Sequence, residues 1–545
     1  MNTVKMNFRV KALLTGLGLV HMMAFSHSGL ADERESLEQL KATTTNLIDL
    51  LVQEGVLSKN KADAMLKKAA EDGARQAQAL AAQSKAEAAG APPVEDGAVR
   101  VQYVPEHVKK KLREEIKQEV LAQAKVEKWA TPNVIPEWTD RIAFNGDIRL
   151  RYENNNFGKN NALPTDLNNP LRFSNIKNTT EDRNRLRARG RLGVDVKVTD
   201  WLTGGLRMTT GDLDSPISPN QTLESSTGKF SLGLDRAFLK IQPYSWLTVQ
   251  GGRFGNPWMH TDLVWDPDLA FDGVAVTLGK DFNKSWSGFA TAGAFPIDEI
   301  ETSQTNLAKD KWLYGAQAGI KWQSANKSSV KVSAAYYDFD NVEGIANPLG
   351  LSSNNGTVPA FRQKGNNTFD IERNNLLTPD FGDNDVRRYG LASEFKLINL
   401  TGQVDLAMFD PVHVAITGDY VRNIGFNEKS ILKRTGNTYA EENVGYQVRL
   451  DVGMPSFSSS AINQVKRNDW QVSMGYKRLE ADAVLDSYTD SDFHLGGTDA
   501  KGWILGANYG LDKNTWISAR YFSSDAISGP TFSTDVFLLD LNAKF

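Results

Sequence analysis

Between Arg183 and Arg191 every second residue is an arginine, and the residues between them are Asn184, Leu186, Ala188 and Gly190. The even-numbered series continues as Leu192, Val194, Val196 and Val198. An extended strand sends alternate side chains to opposite faces. This stretch therefore places five guanidinium groups on one side and mostly apolar groups on the other. A helix would scatter the arginines around its circumference, and stacked like charges weaken a soluble sheet. A wall with lipid on one side and water on the other satisfies both halves of the pattern.

The same texture runs from Arg141 to Phe545. Arg141, Ala143, Asn145, Asp147, Arg149 and Arg151 alternate with Ile142, Phe144, Gly146, Ile148, Leu150 and Tyr152. At the other end Asp540, Asn542 and Lys544 alternate with Leu539, Leu541, Ala543 and Phe545. Sixteen such segments can be marked, near 141–153, 183–197, 201–210, 229–242, 246–254, 269–279, 285–295, 311–322, 329–340, 386–397, 412–423, 441–452, 467–478, 501–510, 514–523 and 534–545. Alternation also continues past the tenth of these, through Leu400, Val404 and Leu406. Connections alternate in length: those at 199–200, 243–245, 280–284, 323–328 and 511–513 are short, those at 154–182, 211–228, 341–385 and 479–500 long. One connection, 453–466, is long on the short side. An even strand count with short turns on one rim and long loops on the other is the outer-membrane pattern. Trp138, Trp201, Trp246, Trp286, Trp322, Trp470 and Trp516 fall at the short-turn ends, where an indole suits the lipid headgroup region. Trp201, Trp246 and Trp516 nevertheless share parity with the inward residues.

Ahead of this region the composition differs. A basic start (Lys5, Arg9, Lys11), an apolar run from Leu13 to Phe25 and small residues near Ala31 predict a secretory signal peptide over 1–31. Leu37, Leu40, Thr44, Leu47 and Leu51 follow a coiled-coil heptad seam. A further amphipathic helix carries Val108, Leu112, Ile116 and Val120 on one stripe. The expected organisation is a signal peptide (1–31), a periplasmic α-helical, coiled-coil extension (32–138) with a linker near 90–102, and an all-β transmembrane antiparallel barrel of about sixteen strands (139–545).

The formal net charge of -4 gives no reason to expect nucleic acid as a partner, and the absence of Cys excludes thiolate chemistry. No HExxH, GxSxG or phosphate-binding glycine loop occurs, so neither an enzyme nor a cofactor is expected. The informative residues are those of inward parity. Pore-lining bases are predicted at Arg149, Arg151, Arg183, Arg185, Arg187, Arg189, Arg191, Arg207, Arg236, Lys240, Arg449 and Arg520, with Arg141, Lys321, Lys331, Lys396, Lys477 and Lys544 as further inward bases. Inward acids are fewer: Asp147, Asp195, Glu394, Asp419, Asp451 and Asp540. A net-positive lumen raises the local anion concentration, whereas carboxylates reaching the same arginines would merely stiffen the wall. In the segment 255–269 (GNPWMHTDLVWDPDL), Asp262, Asp266 and Asp268 are candidates to oppose wall bases across a constriction. Their spacing matches no calcium loop. The longest loop, 341–385, either folds into the channel or covers it from outside.

GDIRLRYE (146–153), RNRLRARGRLG (183–193), GRFGNPW with TDLVWDPDLAFDG (252–273) and YVPEHVKKKLREEIKQEV (103–120) resemble the "putative porin" family of Gram-negative outer-membrane proteins. That resemblance implies a passive channel, a homotrimer among outer-membrane lipid and lipopolysaccharide, and recognition of the terminal Phe545 by the barrel-assembly machinery. The expectation is an outer-membrane diffusion channel for small hydrophilic solutes, preferring anions. The alternatives are a plugged barrel that binds a ligand or ties the membrane to peptidoglycan through the N-terminal helices, and a substrate-specific porin for phosphate or sugar acids.

Overall fold

The computed structural model describes residues 137–545, apart from 165–175, 373–387 and 458–463, and of the earlier residues only Lys67. The signal peptide and the helices expected over 32–136 lie outside the described residues. After a 3-10 turn at Glu137–Arg141, the chain forms sixteen long antiparallel strands. They are β1 (Ile142–Phe157), β2 (Arg183–Lys197), β3 (Leu202–Thr210), β4 (Leu232–Tyr244), β5 (Leu247–Gly255), β6 (Ala270–Asp281), β7 (Trp286–Asp298) and β8 (Lys311–Gln323) in the first half. The second half adds β9 (Ser329–Asp340), β10 (Phe395–Phe409), β11 (Val412–Asn423), β12 (Val444–Gly453), β13 (Trp470–Leu479), β14 (Ala500–Asp512), β15 (Thr515–Ala526) and β16 (Ser533–Lys544). Each pairs with its neighbours in sequence, and β16 returns to β1 with Asp147 opposite Lys544 and Phe157 opposite Thr534. The sheet is a closed cylinder, which leaves no unpaired edge to be solvated by lipid. Phe545 extends that seam: its N–H donates to the Gly146 carbonyl at 3.0 Å and its carbonyl accepts from the Gly146 N–H at 2.9 Å. The ring fills the space a Cβ on Gly146 would need.

The tenth strand differs from the sequence expectation. It spans Phe395–Phe409, not 386–397, and reaches β11 through the two-residue turn at 410–411. Its inward face opens with Phe395 and Leu397, both fully buried against loops inside the barrel, while the outer face opens with Lys396, so the usual polar-in, apolar-out contrast is reversed there and the period is hidden. Tyr389–Leu391 instead pairs with Thr368–Asp370 in a small hairpin inside the long connection, which runs over 341–394. The correction moves Lys396 to the outer face beside Ile398, where it lies opposite Asp338. Glu394 sits at the end of the loop and accepts from Arg434 at 2.8 Å.

Parity is otherwise as read. Ile148, Leu150, Leu186, Leu192, Ile416, Val448, Leu539 and Leu541 face outward and are exposed, whereas Arg151, Glu153, Gln317, Asp419, Lys477 and Asp540 face inward and are buried. Two aromatic belts bound the apolar zone. Trp201, Tyr244, Trp246, Phe282, Trp286 and Phe409 ring the short-turn rim, and Tyr152, Tyr314, Tyr336, Tyr420, Tyr446, Trp503 and Tyr521 ring the other. Such belts mark the two headgroup levels of a bilayer. Trp516 is not part of them: it turns inward and packs on Phe457 and Val465 of the 454–469 connection. The natural absence of Cys allows a direct test of the β10 register. A spin label on Leu400→Cys should show high accessibility to oxygen dissolved in lipid, and one on Thr401→Cys low accessibility to it. The reverse order would show that the strand is out of phase by one residue.

Candidate functional site: an arginine wall and three inward loops

On the long-loop side the connections, numbered L1 to L8 in chain order, include L2 (211–231), L3 (256–269), L5 (341–394) and L7 (480–499). The arginines of β2 project into the lumen opposite β1, whose own inward residues interleave acid and base: Asp147 faces Arg191, Arg149 faces Arg189, Arg151 faces Arg187 and Glu153 faces Arg185. Glu153 accepts from Arg185 Nε at 2.9 Å and from Arg187 Nη1 at 3.2 Å. Asp147 accepts from Arg189 Nη2 and from Arg191 Nε, both at 2.6 Å. Arg151, almost fully buried, donates to Asp540 on β16 at 2.7 Å and to Asp492 of L7 at 2.9 Å, and Asp492 also accepts from Arg520 at 2.7 Å. On β4 a bulge sets Arg236 opposite Arg207 and leaves Asp235 unpaired in the ladder, so its carboxylate takes the Arg207 guanidinium at 3.0 Å.

L3 enters the lumen between two facing glycines. Gly252 on β5 lies opposite Gly273 on β6, both with left-handed φ (107° and 139°), and a Cβ on either would meet a neighbouring strand's carbonyl at 2.3 Å. Only glycine tolerates that combination. Inside, the loop is tied to one wall element after another. Gln317 of β8 holds the Met259 N–H and carbonyl at 2.7 and 2.8 Å. The Thr261 hydroxyl donates to Asp419 of β11. Asp262 accepts from Gln447 of β12 at 2.7 Å and from Lys477 of β13 at 3.0 Å. At the far end Asp268 accepts from Arg191 Nη1 at 2.8 Å and from Arg189 Nη1 at 3.3 Å. Leu263, Val264 and Trp265 are buried against Phe254, Phe271, Phe295, Tyr337 and Phe339 of the wall. Trp265 meets Tyr337 edge-on with ring centroids 5.1 Å apart.

L7 lies on L3, and L5 lies on L7. Asp266 accepts from the Ser491 N–H at 3.2 Å, and its own N–H donates to the Tyr488 carbonyl at 2.7 Å. Asn366 of L5 donates to the carbonyls of Ala481 and Val484, and Asn367 to the Asp482 carboxylate at 2.8 Å. The loop acids divide sharply. Burial works against the charge of Asp262 and Asp268, yet Lys477 beside the first and Arg189 and Arg191 beside the second hold both carboxyls well below the usual range. Asp266, lacking a base, is pushed well above it by burial and by Asp268 and Asp490. Burial also pushes the Lys364 amine of L5 down to about 7, against the pull of Asp499 and Asp486.

Of the predicted pore-lining bases, Arg151, Arg185, Arg187, Arg189, Arg191, Arg207, Arg449 and Arg520 are ion-paired. Arg183 lies exposed at the loop end of β2. Arg149 bonds the side-chain oxygen of Asn220 in L2, a neutral partner. Arg236 and Lys240 complete the set on β4. The constriction candidates separate: Asp262 and Asp268 reach wall bases, whereas Asp266 turns away to cap L3 and L7 backbone. The expectation of few opposing acids missed Glu153, which inward parity alone could have found. Asp235 was hidden by the bulge and Asp492 by its place in a loop.

A closed sixteen-strand cylinder with lipid-facing belts, a charged lumen and an inward loop defines an outer-membrane β-barrel of the porin class. The model of the "Putative porin" family matches residues 41–545, and the chain belongs to that family. Its structure is similar to that of OprB from Pseudomonas putida, at 12% sequence identity over 75% of this chain and 96% of that one, with a TM-score of 0.43. It is also similar to Salmonella typhi OmpF in complex with daunomycin (12%, 74% and 97%, TM-score 0.38). The outer membrane channel DcaP of Acinetobacter baumannii is a further likeness (11%, 74% and 97%, TM-score 0.37). No curated protein matches the sequence.

Two outcomes test the loop assembly. Lys477→Met strands the Asp262 carboxylate and should weaken the docking of L3 at that end by roughly 3 kcal/mol, seen as faster hydrogen exchange over residues 259–263. Adding Asp262→Asn should recover most of that loss, and additive effects would show that the pair is not coupled. The Lys364 amine, neutral when docked above about 7, takes up a proton below about 10.5 once L5 is released. L5 docking should therefore weaken as pH falls from about 10.5 to about 7 and level off below that. Lys364→Met should remove this slope from the exchange rates of residues 363–368.

Proposed function

We propose that the protein is a diffusion channel for small hydrophilic solutes that favours anions. One observation carries the reading: wall arginines outnumber the carboxylates that reach them. Asp147, Glu153, Asp235, Asp268, Asp451, Asp492 and Asp540 are each engaged by guanidiniums. Among the described residues no carboxylate hydrogen-bonds to Arg149, Arg236 or Lys240. Fixed positive charge beside a water-filled path concentrates anions and repels cations. The pairing weakens the preference that a fully unpaired ladder would give and leaves its sign unchanged. In this reading Phe545 doubles as the assembly signal, three copies associate in the membrane, and the N-terminal extension stands in the periplasm, where it can meet peptidoglycan.

A second reading, a barrel closed by its own loops, draws on the aromatic packing of L3 against Phe254, Phe295, Tyr337 and Phe339. Planar bilayers separate the two. The channel reading expects discrete conductance steps and, across a potassium chloride gradient, a reversal potential of anion-selective sign. Neutralising Arg149, Arg236 and Lys240 to Gln should move the chloride-to-potassium permeability ratio toward one. Absence of steps favours the plugged barrel, and a cation-selective sign removes the anion reading.

A further inference from the structure

We propose that Asp268 is a tethered competitor for an anion site, a basin of Arg149, Arg189, Arg191 and Arg236 that takes the carboxylate of a permeating solute. This rests on the anion-channel reading and names its substrate class as small carboxylates. Arg189 and Arg191 each have one partner fixed in the wall, Asp147, and one delivered by a loop, Asp268. Two more guanidiniums border the same place. Arg149 lies in register with Arg189, and the Arg236 guanidinium packs over Gly255, 3.0 Å from where a Cβ would stand at the mouth of L3. Both lie within electrostatic reach of Asp268. The Nε atoms of Arg149 and Arg236 are buried with no hydrogen-bond acceptor among the described residues. The basin therefore has more donors than L3 and the wall supply acceptors for, and a buried donor left unmade is costly.

The present occupant indicates what else fits. Guanidinium forks match planar, two-oxygen anions, and the group already seated is a carboxylate. Its seat is within reach of water, since the Asp268 side chain keeps 18% of its exposure and Arg191 16%. Asp268 can leave by rotating its side chain, because its neighbours are held separately: Asp266 by Tyr488 and Ser491, and Leu269 in the apolar cluster. An arriving carboxylate thus replaces one negative charge by another and does not have to enter an empty, mutually repelling set of arginines. Exchange of like for like keeps the site charge-balanced through each passage.

The full-length protein in planar bilayers tests this, with acetate and succinate as blockers of the chloride current. Asp268→Asn removes the competitor and should lower the half-blocking concentration of both by roughly tenfold. Adding Arg149→Gln and Arg236→Gln should reverse the gain. Lys477→Met, which loosens L3 at its other anchor, should not reproduce it. Asp268→Glu keeps a carboxylate on the loop and should be blocked much as the unmodified channel is, and Asp268→Ser, which also removes the carboxylate, serves if Asp268→Asn assembles poorly. Unchanged block in Asp268→Asn, or an equal gain in Lys477→Met, would overturn the proposal while anion selectivity stands. Cation selectivity of the unmodified channel would instead remove the reading beneath it.

Discussion

Five guanidiniums on one face of a single strand repel one another, and most of the lumen is arranged around that repulsion. Neighbouring charges along the face are about 7 Å apart, so at an effective dielectric near 20 each adjacent pair costs about 2 kcal/mol. Water in a narrow lumen relieves only part of this. The remainder is offset by carboxylates arriving from several parts of the chain: Asp147 and Glu153 from the facing strand, Asp540 from the closing strand next to Arg151, and Asp268 and Asp492 from loops. The wall's charge therefore draws two loops inward. L3 ends on Arg189 and Arg191, and L7 places Asp492 between Arg151 and Arg520.

This division explains what the sequence discloses. A two-residue period states which face a side chain takes, so β2, β9 and β11 can be bounded to the residue, and the strand number follows from turns and loop lengths. Period is silent about partners. Arg151 and Asp540 are far apart in sequence and meet only because β16 closes on β1. The tenth strand escaped because the loops make its inward face apolar at Phe395 and Leu397, which removes the contrast that parity needs. Asp235 escaped because a bulge gives one extra inward residue. That Asp262 and Asp268 meet wall bases could be read from composition, since acids in an aromatic loop beside a basic wall have few other stable placements. Asp266 looks identical in sequence and differs in having no base within reach among the described residues.

That difference shows how L3 is held inside the barrel. Its three carboxyls lie within seven residues, yet ionisation is favoured only at the two that meet bases, Asp262 at Lys477 and Asp268 at the arginines. Between them Asp266 is held toward its neutral form by burial and by its acidic neighbours, and it bonds the backbone of L3 and L7. A loop charged throughout could not bury Leu263, Val264 and Trp265 beside those groups, because an unpaired carboxylate in that setting is too costly. A loop without charge would pack but leave the arginines unbalanced. Charge placed only at the ends satisfies both demands: the apolar middle narrows the lumen and the ends fix its position. At the Asp268 end five guanidiniums, those of Arg149, Arg189, Arg191, Arg207 and Arg236, act on one carboxylate or are acted on by it. The ion pairs at that end therefore bind L3 to the wall and balance the arginines of β2 at the same time.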